Sequence, residues 1–483
     1  MPLLKANNVF VSNSFYIFIT RFFPSLANLL VLVWYSRELP QDVYGNYQLF
    51  WIQLYVIYPL MCFGIHTLII TYSRNLLANL LSRIKMKHYL LFALWMLVLS
   101  GLFAWLQYDA GSVHFSTAFL FLLTFSINII TESLLIVFRK YRLISITGFL
   151  YAAAFCAIHW FALKAGFSIE SIFSFLLVIN LLRVFTYSCA VLLEVKKDAD
   201  GYAHEDIDIP AIRSLWLHLG LYDVVQMLST WIDKFVIALL LTAEFSAIYY
   251  NGAQNVPFLP LLLSAAGSAV LLQLADSGRH SEKENTITLV NQSGRILSSI
   301  VFPAFCFLLI FRNELFVTIL TEKYIPAIPI FSIAVLSLPV RAYSFTTVLQ
   351  RRHKGNIINI GAVGELLLAC LLMYPFYLWM GLPGVALSFV VSTYLQAAFY
   401  LIYTGKLLGV RPFTLLPLVN WVIKLIVFGA VFIGIRYAGT IYFTSKITLI
   451  LGAIVMAFLV LLSLLIELNR KKNHGSTATS LPI

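Results

Sequence analysis

About fourteen times along this chain, a run of roughly twenty or more residues passes with scarcely a charged side chain. The runs fall near 10–36, 46–70, 88–107, 115–138, 143–164, 168–193, 213–241, 246–274, 293–311, 327–349, 356–379, 382–408, 414–437 and 446–467. A helix of about 20 apolar residues reaches across the hydrocarbon of a bilayer. There the backbone must satisfy its own hydrogen bonds, which leaves only helices and closed barrels. Barrel strands are shorter and alternate in polarity; these runs do neither. The chain reads as an all-α polytopic membrane protein with about 14 transmembrane helices. Composition agrees: 60% of residues are hydrophobic and 11% charged, which excludes a soluble globular protein. Runs 168–193 and 382–408 exceed the bare need and read as tilted or extended past the membrane. The first run is too long for the core of a signal peptide and lacks a small-residue cleavage site, so it is expected to be a helix. The five cysteines all lie in predicted helices without a CxxC pair, and read as small packing residues.

The formal net charge of +12 would suit a nucleic-acid binder, but the charges are distributed otherwise. Alternate polar segments, counted from the N-terminus, hold 22 Lys and Arg; the opposite set holds six. The positive-inside rule then places both termini in the cytoplasm. The excess charge is a topology signal, and the basic loops face anionic membrane lipid. Nucleic acid is not expected as a partner.

Five basic residues remain inside predicted helices: Arg21, Arg183, Lys234, Arg341 and Lys424. The acids there are Glu132, Asp223, Asp233 and Glu365. In "FITRFFPSLANLLVLVW", "INLLRVFTY" and "SLPVRAYSF", the residues Arg21, Arg183 and Arg341 sit near mid-helix, too deep to snorkel to an interface. A charge at the bilayer centre costs from about 3 to well over 10 kcal/mol. Two readings stay open: structural ion pairing with the acids, or a cationic, water-accessible cavity. Asp233 and Lys234 lie nearer a helix end, and adjacent residues on a helix do not face each other, so a structural role is expected there. Pro24 follows Arg21 by three residues and Pro339 precedes Arg341 by two. Such prolines kink helices, either around a cavity or in static packing.

The longest strongly polar segment, "EVKKDADGYAHEDIDIPAIRS" from Glu194, separates six helices from eight. Its acids and histidine match no calcium-loop spacing, so it reads as a solvated linker and no metal site is expected. "LPQDVYGNY" from Leu39 aligns without gaps with "LTAEFSAIY" from Leu241, matching Asp42 to Glu244 and Tyr47 to Tyr249. Each follows the first long helix of a half. This suggests parallel repeats, a known transporter architecture. The expected organisation is a first lobe over 1–194, a cytoplasmic linker over 195–212 and a second lobe over 213–409. Two further helices follow over 410–468, then a cytoplasmic tail over 469–483.

Four stretches carry a family resemblance. "SRELPQDVYGNYQLF" from Ser36 resembles the element after the first helix of polysaccharide flippases. "WIDKFVIALLLTAEFSAIYYNGAQNVPFLP" from Trp231 is similar to their seventh-to-eighth helix element. "TEKYIPAIPIFSIAVLSLPVRAYSFTTVLQRRHKGNIINI" from Thr321 and "GLPGVALSFVVSTYLQAAFYLIY" from Gly381 resemble their ninth-to-eleventh and twelfth helix stretches. The likeness runs from Asn7 to about Gly409. It departs at "QRRHKG", bulkier and more basic than the usual turn, and at Lys234, where Arg is frequent and a point charge replaces the planar fork.

The resemblance is to Wzx-type flippases of the multidrug/oligosaccharidyl-lipid/polysaccharide exporter superfamily. It implies two six-helix bundles in a V, as in the multidrug (MATE) branch, with two additional helices. It implies translocation of an undecaprenyl-diphosphate-linked oligosaccharide, an O-antigen or capsular/exopolysaccharide repeat unit, from the inner to the outer leaflet of the bacterial inner membrane. Such a protein is a transporter and not an enzyme. The candidate substrate-binding residues are then Arg21, Arg183, Arg341 and Lys234, meeting the diphosphate by charge-assisted bonds. Glu132, Asp223, Asp233 and Glu365 are candidates for ion coupling or pairing. No cofactor is expected; H+, Na+ and membrane potential all remain open as the drive. The implied partners are the lipid-linked substrate, membrane lipids, a polysaccharide polymerase and glycosyltransferases. One rival is a MATE-like multidrug/cation antiporter using Glu132 and Glu365. Another, a polysaccharide polymerase or ligase, needs a sizeable external catalytic loop that the sequence does not offer.

Overall fold

Gly381, at φ +67°, alone reverses the chain between the helices Gly355–Met380 and Leu382–Leu408. Gly384 then packs so closely under the Phe376 carbonyl that a Cβ would lie 1.9 Å from its oxygen. Long apolar helices joined by such tight turns make up the computed structural model. It describes residues 22–71, 74, 77, 85–109, 113–198, 209–254, 282–352 and 354–477.

In chain order the helices are α1 (22–38), α2 (Gln41–Cys62), α3 (Ile65–Thr71), α4 (Met86–Asp109), α5 (Phe115–Val137), α6 (Tyr141–Ala165), α7 (Ile169–Asp198), α8 (Ile209–Leu240) and α9 (Ala243–Gly252). They continue with α10 (Glu282–Ile310), α11 (Arg312–Leu315), α12 (Ile328–Val335), α13 (Thr347–Arg351), α14 (Gly355–Met380), α15 (Leu382–Leu408), α16 (Leu418–Tyr442) and α17 (Ser445–Thr477). The chain divides into two compact units, Met1–Ala247 and Ile248–Ile483. The helix α8 packs on α2 and α3 within the first of these.

Ten helices among the described residues are long and apolar enough to cross a membrane, or eleven if α2 and α3 form one span bent by 54°. The chain is a multi-pass membrane protein. The sequence reading of fourteen counts three further segments. The first lies partly outside the described residues, the eighth largely so, and α8 is made too polar by Asp223, Gln226, Asp233 and Lys234.

Burial explains why these helices need lipid. In α4 the buried residues Met96, Leu99, Ser100, Phe103, Ala104 and Gln107 form one stripe at helical spacing. The opposite face exposes Leu90, Leu91, Leu94, Val98, Leu102 and Trp105. The buried stripe is therefore the more polar face, the reverse of a helix in water. Gln107 Nε2 donates to Gln53 Oε1 of α2 at 2.8 Å, so each buried amide gains a partner in the other. In α2 most residues are buried, and Phe50 stacks on Phe173 at 3.7 Å and meets Phe103 and Phe121 edge-on.

The two turns that align in sequence lie against each other. A Cβ on Gly45 would stand 1.9 Å from the Ala243 carbonyl oxygen, so only glycine permits the approach. Charges that the sequence reading assigns to one membrane face also meet. Glu194 pairs with Arg74 at 3.2 Å and Lys140 at 2.8 Å. On the opposite set, Arg436 Nε pairs with Glu314 at 2.7 Å.

Candidate functional site

Arg341 stands where its helix comes apart. The run predicted as one helix over 327–349 is instead α12, a 3-10 turn over Pro339–Ala342, an extended Tyr343 (φ −143°, ψ 139°) and the short α13. Proline withholds the N–H at position 339, and the chain does not resume helix until Thr347. Irregular backbone at membrane depth survives only where protein or water satisfies it. Here the Tyr394 hydroxyl of α15 donates to the freed Leu336 carbonyl at 3.0 Å. Arg341 is an exposed residue, with its guanidinium set down among surrounding protein. Glu365 of α14 is near enough for the two charges to act on each other, yet they form no direct ion pair among the described residues. The Glu365 carboxylate instead accepts from Thr393 Oγ1 at 2.7 Å. This region belongs to the second unit.

Arg183, in the first unit, is held differently. Its guanidinium pairs with Glu132 of α5 and lies over the rings of Tyr151 and Tyr187, at 5.4 and 5.0 Å. Tyr187 is fixed by Thr147 Oγ1 at 2.8 Å. The pair stays partly open, with side chains 19% and 26% exposed. For Arg183 the geometry therefore supplies the ion pair that the sequence left as one of two readings. Glu132 is the partner it needs in a low-dielectric site.

Lys234 and Asp233 correct a local expectation. Neighbours on a helix diverge, but the Lys234 stem folds back and brings Nζ to within 3.3 Å of Asp233 Oδ2. Nζ also donates to the Thr230 carbonyl at 3.2 Å and lies 5.6 Å from the Trp231 ring. Both residues are buried. Trp231 in turn stacks on Tyr55 of α2 at 4.7 Å. Asp223, on the same helix, accepts a hydrogen bond from Thr67 Oγ1 at 2.7 Å and faces His66 Nε2 at 3.6 Å.

Arg21 lies outside the described residues. The remaining buried base, Lys424, forms a cluster that sequence spacing did not reveal. Its Nζ donates to the Arg295 carbonyl (2.6 Å), Ser298 Oγ (3.0 Å) and Ser299 Oγ (2.8 Å), and pairs with Glu467 at 3.2 Å. Glu467 also takes Arg295 Nε at 3.0 Å and Asn420 Nδ2 at 2.9 Å. This network fastens α16 and α17 to α10. Glu467 closes the last apolar run, and Asn420 and Arg295 lie 47 and 172 positions before it, so no periodicity links them. Among the described residues, no three His, Cys, Asp or Glu side chains gather as a metal would require. None of the five cysteines is in a disulfide.

No protein-family model matches the chain, and neither does any curated protein sequence. Solved structures do match. The lipid II flippase MurJ, in an inward closed conformation, aligns over 94% of this chain and 98% of its own with a TM-score of 0.65 at 14% identity. A MATE transporter in complex with MaD3S aligns over 83% of this chain and 95% of its own, with a TM-score of 0.53 at 16% identity. An inward-facing multidrug resistance MATE family transporter of the MOP superfamily gives 0.53 at 12% identity, over 82% and 98%. The chain therefore has the fold shared by the MurJ flippase and the MATE transporters, and MurJ's likeness extends over nearly its whole length.

Proposed function

We propose that this protein is a flippase for an undecaprenyl-diphosphate-linked oligosaccharide, an O-antigen or capsular/exopolysaccharide repeat unit. It would move that lipid from the inner to the outer leaflet of the bacterial inner membrane by alternating access. The observation that carries the reading is Arg341: an exposed residue on broken backbone inside an apolar segment, with no direct ion pair among the described residues. Exposed to lipid, such a charge would cost from about 3 to well over 10 kcal/mol. Exposed to water and an anionic headgroup, it has a use, because its planar fork binds phosphate oxygens in pairs. The fold likeness to a lipid II flippase supports the same substrate class. The likeness to MATE transporters supports a rival, a multidrug/cation antiporter, but an arginine without an ion-pair partner among the described residues would repel a cation.

Reconstitution separates the two. Liposomes containing the protein and a fluorescent undecaprenyl-diphosphate saccharide are treated with a membrane-impermeant quencher. The flippase reading expects the protected inner-leaflet fraction to become quenchable only with the protein present. Transport of a cationic dye with no movement of the lipid would contradict it.

A further inference from the structure

Each intramembrane carboxylate with an ion pair has a permanent cation beside it, with one exception among the described residues. Glu132 has Arg183, Asp233 has Lys234, and Glu467 has Lys424 and Arg295. Asp223 has only His66. Among the described residues, Asp223 also acts electrostatically on Tyr58 and Cys62 of α2 and on Tyr222 of α8, none of them cationic. The helix α5 also packs on α3; its one carboxylate, Glu132, is taken by Arg183. Asp223 and His66 side chains are only 16% and 25% exposed.

The pair sits on a built break. The helix α2 ends at Phe63, in the left-handed region at φ 36°, followed by Gly64 at φ +71°. A Cβ on Gly64 would lie 2.4 Å from the Gly220 nitrogen of α8, so the bend is seated directly on that helix. Trp216 Nε1 donates to the Phe63 carbonyl at 2.7 Å. Beyond the bend, Thr67 and His66 tie α3 to the Asp223 carboxylate. With Nε2 turned to a carboxylate, neutral His66 carries its hydrogen on Nε2. Nδ1 is then a bare lone pair, and it is buried without a hydrogen-bond partner among the described residues.

We propose that His66 and Asp223 form a proton-binding site that sets the bend between α2 and α3. A proton taken from water binds His66 Nδ1, and the imidazolium neutralises Asp223 and draws α3 onto α8. Loss of that proton to water leaves the carboxylate with one hydroxyl donor and a neutral imidazole N–H at 3.6 Å in place of a cation, and the tie weakens. Intramembrane Asp–His pairs suit proton relays for this reason, and imidazole changes charge in the range of about pH 5 to 8. In assigning this proton to the transport cycle the inference rests on the flippase reading; the titration below does not.

Trp216 is a reporter already at the bend. Its emission is isolated as the difference between the purified full-length protein and W216F, followed from about pH 5 to 8. The proposal expects one sigmoidal transition, lost in both H66Q and D223N. The amide introduced by D223N keeps an oxygen for Thr67, so the fold is spared. The proposal is overturned if the protein shows no transition in that range, if H66Q titrates as the parent does, or if the signal follows sodium at fixed pH instead. If the transition is present and responds to both variants while lipid movement fails, the proton site stands and the flippase reading falls.

Discussion

Replacing Lys424 with methionine keeps most of the side-chain volume and removes one buried cation. Nζ makes three hydrogen bonds, to Arg295 O, Ser298 Oγ and Ser299 Oγ, and one ion pair to Glu467. Breaking a buried pair by deleting one partner costs about 3–5 kcal/mol. Glu467 retains Arg295 and Asn420, so its charge is not stranded, which puts K424M near the lower end, at about 3 kcal/mol. In K424M/E467L both charges go. Arg295, whose side chain is 32% exposed, can turn to solvent, so the double variant should return to within about 1 kcal/mol of the parent. A two-unit chain need not unfold in one step, so the probe must be local. Trp421 lies one turn from Lys424, and its indole donates to the Gly294 carbonyl at 3.1 Å. Denaturant titration in mixed micelles, read as the difference from the corresponding W421F proteins, reports on this joint. A cost below about 1 kcal/mol for K424M, or a double variant as weak as the two single costs added, would refute the reasoning.

Two further outcomes follow from close contacts. G45A must push the α2 backbone off Ala243, where the new Cβ would stand 1.9 Å from the carbonyl oxygen; it should cost about 1–3 kcal/mol. The control G101A, with nothing within 4 Å of its Cβ, should shift the thermal midpoint little. E132Q leaves Arg183 without its carboxylate between Tyr151 and Tyr187, and should cost about 2–3 kcal/mol by thermal scanning in detergent, restored in large part by E132Q/R183M.

How far the sequence discloses this molecule depends on what each signal encodes. Apolar length encodes membrane crossing, so Leu382–Leu408 is found to the residue and Phe115–Val137 to within one. The start of α16 is misplaced by four residues, because Phe413, Leu415 and Leu416 are apolar although Pro412–Leu415 is a 3-10 turn and Pro417 precedes the helix. The helix α17 runs ten residues past its apolar segment, since hydropathy marks where lipid ends and not where helix ends. Breaks are harder to read. Pro339 signals the opening at Arg341, whereas the bend after Cys62 follows an ordinary Phe-Gly pair and depends on Gly220, far away in the sequence. Candidate charges stand out from the apolar background, which is why Arg183, Lys234 and Arg341 are found at once. Their partners do not, because Arg183–Glu132, Lys424–Glu467 and His66–Asp223 each join different helices at no fixed spacing.

Under the proposed function, Arg341 meets the lipid diphosphate. The direct measurement is the rate of lipid-diphosphate movement in liposomes for the parent, R341A and R341K, alongside each protein's thermal midpoint. A charge-assisted hydrogen bond contributes about 1.5–3 kcal/mol, so R341A should slow movement by roughly 10- to 150-fold. R341K should fall between, because it restores the charge without the fork. The midpoints should stay together, since Arg341 makes no direct ion pair among the described residues. Unchanged movement in R341A, or a loss matched by a drop in thermal midpoint, would contradict the substrate role.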